Sequence, residues 1–152
     1  MTELSLCTLH AEEAGMSMKI VMGFVLRPEG WAALDRAIEE ARHHDAHLFV
    51  IHSMRGDERD QVEQVLSYRE ALEEVETKLQ HAGIRHTVHE FVRGKTVAGD
   101  VLEIAEEEHA DLIVIGLRQR TPLGKLIMGS HAQEILLNTS VPVLAVPAAE
   151  ED

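Results

Sequence analysis

The feature that most limits what this chain can become is a set of five short apolar runs with amphipathic stretches between them. The runs are Lys19 to Val25 (KIVMGFV), Leu48 to Ser53 (LFVIHS), Ile84 to Val92 (IRHTVHEFV), Asp111 to Ile115 (DLIVI) and Val141 to Val146 (VPVLAV). Near-continuous apolar runs of this length mark strands buried on both faces, and therefore a parallel sheet. The third run mixes polar and apolar residues and reads as a more exposed edge strand. Between the runs, Trp31, Leu34, Ile38 and Ala41 recur at helical spacing, as do Val62, Val65, Leu66, Leu72, Val75 and Leu79, with Gly83 placed as a C-cap. Val97, Val101, Ile104 and Ala105 mark a third helix reaching about His109, and Ser130 to Asn138 a fourth. Strands alternating with helices imply an α/β fold, a mostly parallel sheet and right-handed crossovers that put helices on both faces.

With 152 residues the chain holds one full hydrophobic core. Residues 18–148 form the expected domain, 1–17 read as a disordered N-terminal extension, and 149–152 as an acidic tail. The 27 acidic residues against 14 Lys and Arg argue against general binding to nucleic acid or to an anionic membrane, because both need positive surface. One cysteine, Cys7, allows no internal disulfide and fits a reducing compartment. The first residues carry Glu3, His10, Glu12 and Glu13 and lack the basic and apolar regions of a signal peptide. No stretch approaches the roughly 18 apolar residues of a membrane span. The expectation is a cytoplasmic protein.

The run Gly116 to Ser130 (GLRQRTPLGKLIMGS) is where chemistry is expected. It carries Arg118, Arg120 and Lys125, and no Asp or Glu occurs from Leu112 to Gln133. A cationic, glycine-bearing connection from a strand to a helix start favours an anion, since unpaired amides and the helix dipole both attract negative charge. In open parallel sheets, ligands bind at the carboxyl ends of strands where the strand order reverses, and the stretches after Val25, Ser53 and Ile115 lie at such ends. The fragments Gly94-Lys95-Thr96 and Gly124-Lys125-Leu126 lack the remaining phosphate-loop residues, with His89 and Gln119 where the first glycine belongs, which argues against a P-loop NTPase. Ser130 and Gln133 form a capping-box pattern that serves helix initiation, with or without a phosphate contact.

Ten histidines raise the question of a metal. His43, His44 and His47 gather near a helix end, while His86 and His89 fall on opposite faces of one strand, so no chelating set is expected. The run Glu106 to Glu108 reads as a solvated helix face. Neither a catalytic carboxylate pair nor a nucleophile with its base is apparent, and the chain is expected not to be an enzyme.

The spacing glycine, two residues, Gln119, nine residues, Gly129-Ser130 resembles the hallmark of the universal stress protein family, in which a second glycine stands where this chain has Gln119. The similarity extends over the order and length of the elements from Lys19 to Val146. It implies a Rossmann-like fold of the adenine nucleotide alpha hydrolase-like type, with five parallel strands in the order 3-2-1-4-5. It also implies ATP or AMP as ligand, bound at positions corresponding to Gly23, Val25, Ser53, Gly116, Gln119, Gly129, Ser130 and His131, and Arg118 or Arg120 is expected, from its acid-free setting, to supply countercharge. Gln119 replaces a glycine, and Val25 replaces the acidic residue that holds the adenosine part, so a dimeric interaction protein without nucleotide is the alternative. The last strand, with Val141, Val143, Leu144, Ala145 and Val146, would leave an apolar sheet edge. Native proteins cover such edges, and self-pairing about a two-fold axis would do so, giving a homodimer.

Overall fold

The computed structural model describes residues 17–54, 62–92, 96–119 and 126–148. The elements are β1 (Lys19–Gly23), α1 (Pro28–His44), β2 (His47–Met54), α2 (Val62–Ala82), β3 (Arg85–Val92), α3 (Val97–Glu107), β4 (Leu112–Gln119), β5 (Leu126–Ile127), α4 (Ser130–Asn138) and β6 (Val143–Pro147). The parallel strands run β3-β2-β1-β4-β6, the expected 3-2-1-4-5 order with β6 as fifth parallel strand, and β5 adds antiparallel to the end of β4. The expected extension, residues 1–17, lies outside the described residues except for Ser17, and the acidic tail, 149–152, lies wholly outside them. No helix among the described residues is long and apolar enough to cross a membrane.

Alternation along each strand divides the interior into two cores, because successive side chains point to opposite faces of a sheet. Ile20, Met22, Leu48, Val50 and Val114 face α1 and α2, where Leu34, Ile38, Val75 and Leu79 close over them. Val21, Phe49, Ile51, Ile113 and Ile115 face the other way, against Val101 and Ile104 of α3 and Ala132 and Ile135 of α4. Full burial of an aliphatic side chain contributes about 1.5–3 kcal/mol, so both layers hold the central strands. Gly83, at φ 70°, follows α2 as the C-cap that its sequence position predicts.

Several boundaries differ from the sequence reading. β1 ends at Gly23 instead of Val25, because the amide of Arg27 bonds the Val25 carbonyl at 2.9 Å and Pro28 opens α1. α3 ends at Glu107 instead of about His109, which takes the left-handed conformation at φ 56°. β4 runs four residues past Ile115, since Gly116 and Leu117 pair with Val146 and Pro147 while Arg118 and Gln119 pair with Ile127 and Leu126. The first part of the expected loop is therefore strand. The last strand starts at Val143 instead of Val141, and the Pro142 carbonyl ahead of it accepts from the Ile113 amide at 2.9 Å.

Three of the histidines take structural places. His86 Nε2 lies 2.9 Å from Glu76, His89 stacks between Phe49 and Phe91, and no metal-holding cluster occurs among the described residues. His47 begins β2, where its Nε2 lies 2.8 Å from Thr87 Oγ1 and its ring stacks on Phe49 at 4.4 Å. Burial, reinforced by Arg85, holds its imidazole below the ordinary value of 6.5. As pH falls below 6.5 the unfolded chain takes up this proton first, so the native state loses stability until the folded imidazole also protonates. Urea unfolding of the wild type from about pH 7 to about pH 5 should show a steeper loss than that of His47→Gln.

Candidate functional site

The order β2-β1-β4 places β1 between a strand that follows it directly and one that returns from the far side of the chain. This reversal opens a crevice at the carboxyl ends of the three strands. A cleft of about 320 Å3 lies there. Its β-strand wall carries Gly23 at the end of β1 with Phe24 and Val25 after it, His52 and Ser53 of β2, and Ile115, Gly116 and Arg118 of β4. Gly129, Ser130 and His131 bring the start of α4 to the same space.

One part of the cleft is apolar and aromatic. Val97 and Val101 of α3 line it together with Phe24, His52 and Tyr68. The Phe24 ring meets Trp31 edge-on at 5.0 Å, and the His52 ring lies 4.6 Å from Tyr68. Phe24, His52 and Val101 are buried behind the cleft surface, so Val97 and Tyr68 supply the apolar and aromatic surface that this part offers. Ser53, 7% exposed, is the polar group beside it, and its hydroxyl donates to Asp100 Oδ2 at 2.5 Å.

The other part is built by backbone. Gly129 is the N-cap of α4 at φ −75° and ψ 170°, and the first helical bond runs from the Gln133 amide to the Gly129 carbonyl at 3.0 Å. The amides of Ser130, His131 and Ala132 precede that bond and have no helical acceptor. Here the structure corrects the capping-box expectation. Ser130 occupies the first helical position instead of the cap, so its hydroxyl is not what starts the helix. Among the described residues, a Cβ placed on Gly129 would meet nothing within 4 Å, and its φ of −75° is open to any residue.

Gly116 is different. A Cβ there would lie 2.5 Å from the carbonyl oxygen of Glu29 and 3.0 Å from its Cβ, so α1 can rest on β4 only if the residue has no side chain. Its glycine has a packing cause whatever the ligand. The same approach brings the Glu29 carboxylate into the cleft, where Oε2 lies 3.5 Å from Arg118 Nε. Arg118 is remote from acids along the chain, and only the fold sets this partner beside it. With the Glu29 side chain 11% exposed and that of Arg118 31%, the pair is partly desolvated and weakly screened.

Of the positions singled out from the sequence, Gly23, Val25, Ser53, Gly116, Arg118, Gly129, Ser130 and His131 line this one cleft. Gln119 ends β4, and neither its side chain nor any part of Arg120 is among the described residues. Sequence reasoning missed Glu29 and Asp100. For Glu29 a signal existed, since an acid one residue after Pro28 marks a helix start that carries negative charge inward. Asp100 holds a similar place in the first turn of α3, with nothing in the sequence to show that it is 1% exposed.

A model of the universal stress protein family matches residues 16–147. A universal stress protein from Mycolicibacterium smegmatis is 38% identical over 127 residues, which is 84% of this chain and 95% of that protein. Among solved structures, a universal stress protein from Archaeoglobus fulgidus superposes with a TM-score of 0.69 at 35% identity, covering 85% of this chain and 98% of its own. The universal stress protein from Archaeoglobus fulgidus in complex with dAMP has a TM-score of 0.63 at 30% identity, covering 85% and 97%.

The two glycines separate packing from ligand contact. Gly116→Ala should lower unfolding free energy by about 1–3 kcal/mol, the usual cost of forcing extra volume into a packed contact. Gly129→Asp adds a strong capping residue in open space and should leave stability unchanged or raise it by up to about 1 kcal/mol. Urea denaturation of both variants checks this, and a Gly116→Ala protein as stable as the wild type would show that the contact with Glu29 yields cheaply.

Proposed function

The chain belongs to the universal stress protein family, and on that premise we propose that it is a regulatory binding module whose cleft takes an adenine nucleoside phosphate. The observation that carries this reading is the juxtaposition, in one cleft, of an aromatic and aliphatic slot with the open amide end of α4. The slot accepts a base by stacking and apolar contact. The amides of Ser130, His131 and Ala132 donate to a phosphate without a buried charged side chain. The relative described as a complex with dAMP supports a nucleotide of this class.

Two features favour a monophosphate such as AMP over ATP. The volume of about 320 Å3 lies at the small end of ligand sites. Arg118 already shares its charge with Glu29, so each added phosphate gains less from that guanidinium and meets a carboxylate as well. In this reading Val25 contributes apolar contact, and Glu29 is the acid at this end of β1. The module binds and signals; it does not turn its ligand over. Isothermal titration should give AMP and dAMP binding, weaker ATP binding, and recovery of the nucleotide unchanged. Gly129→Asp should weaken AMP by at least about tenfold while remaining folded. Absence of heat with AMP, dAMP and ATP alike would favour the interaction protein without nucleotide.

The same proposal includes a homodimer through β6. This strand pairs with β4, and Val143, Leu144, Ala145 and Val146 are only half-buried in the single chain, as expected of an apolar border awaiting a second copy. Val141, which precedes the strand, joins the same border. Sedimentation equilibrium should return twice the 16.9 kDa chain mass; a monomer at all concentrations would remove the dimer from the proposal.

A further inference from the structure

Ser53 and Asp100 form a buried polar pair at the edge of the aromatic slot. Asp100 sits in the first turn of α3 and is 1% exposed, with its amide bonded to Thr96. Its Oδ2 receives the Ser53 hydroxyl, and its Oδ1 has no hydrogen-bond partner among the described residues. A carboxylate with half its acceptors unmet is costly to bury. The positive end of the α3 dipole and the hydrogen bond from Ser53 offset that cost. Asp100 Oδ2 thus accepts the one hydrogen bond that the Ser53 hydroxyl can donate.

A serine hydroxyl has a single proton and two acceptor lone pairs. With the proton committed to Asp100, Ser53 Oγ offers the cleft lone pairs only. We propose that Ser53 is a specificity-determining acceptor and Asp100 its positioning residue, so that the slot selects a purine ring carrying an exocyclic amino donor over one carrying an oxo group. An oxo group at that point brings two acceptors together and leaves both without a donor. An amino group can donate to a Ser53 lone pair. This inference rests on the nucleotide reading of the cleft and adds the chemical basis on which the base is chosen.

The experiment compares AMP with inosine monophosphate, which keeps ribose and phosphate and replaces the amino group by an oxo group. The wild type should bind AMP on the order of tenfold to a hundredfold more tightly. Ser53→Ala should bring the two within about threefold of each other, because neither ring then meets a committed acceptor. Asp100→Asn should strengthen inosine monophosphate relative to AMP, because an amide that can donate to Oγ releases the serine proton toward the ligand. A merely structural role for Asp100 would change both affinities by the same factor and leave their ratio intact. Circular dichroism melts establish that each variant is folded, and Ser53→Ala decides the matter if Asp100→Asn does not fold. Equal wild-type affinities, or a preference that survives Ser53→Ala, overturn the inference while leaving nucleotide binding in place. Failure of the wild type to bind either nucleotide overturns the reading of the cleft and this inference with it.

Discussion

The parallel pairing of β1 with β4 is the contact on which the rest of the molecule depends. Ile20, Val21 and Met22 align with Leu112, Ile113 and Val114, joining segments about ninety residues apart in sequence. The backbone groups of both strands are thereby satisfied in an interior that water does not reach, and their side chains alternate into the two cores. Because β2 occupies the other side of β1, the chain must cross from one half of the sheet to the other at this seam. The described cleft lies at the carboxyl ends beside this seam, where such an order of strands places a crevice.

Two carboxylates are placed at the cleft or against its lining by helix first turns. Glu29 at the start of α1 and Asp100 at the start of α3 each profit from a helix dipole. Each is directed at one polar partner, Arg118 and Ser53 respectively. The pair of Glu29 with Arg118 joins α1 to β4, whereas the pair of Asp100 with Ser53 joins α3 to β2. Neither pair lies next to the open amides of α4 in sequence, so in the proposed reading phosphate, base and charge balance fall to separate elements.

Much of the fold was legible because the two periodicities it uses are local. The unbroken apolar character of KIVMGF and DLIVI announces strands covered on both faces, and both lie at the centre of the sheet. The mixed IRHTVHEFV announces an edge, and β3 is one. The ends of elements were less legible, since they depend on partners. Gly116 to Gln119 look like a loop by composition, yet they become strand because β6 and β5 supply hydrogen bonds on either side. Ser130 looks like a cap because Gln133 follows at the right distance, yet Gly129 takes that place in the folded chain.

The amino-acid sequence by itself determined the α/β class, the sequence of strands and helices and the family pattern ending at Gly129-Ser130, because each of these is written in residues close together along the chain. Only the tertiary structure decided that Gly116 is a packing glycine beneath Glu29, that Arg118 has an acid beside it, and that Ser53 spends its proton on Asp100. Those facts join residues that lie 47 to 89 positions apart. Charge and hydrogen-bond partnership act over a few ångströms of space, and only the closing of the sheet turns such separations in sequence into contact.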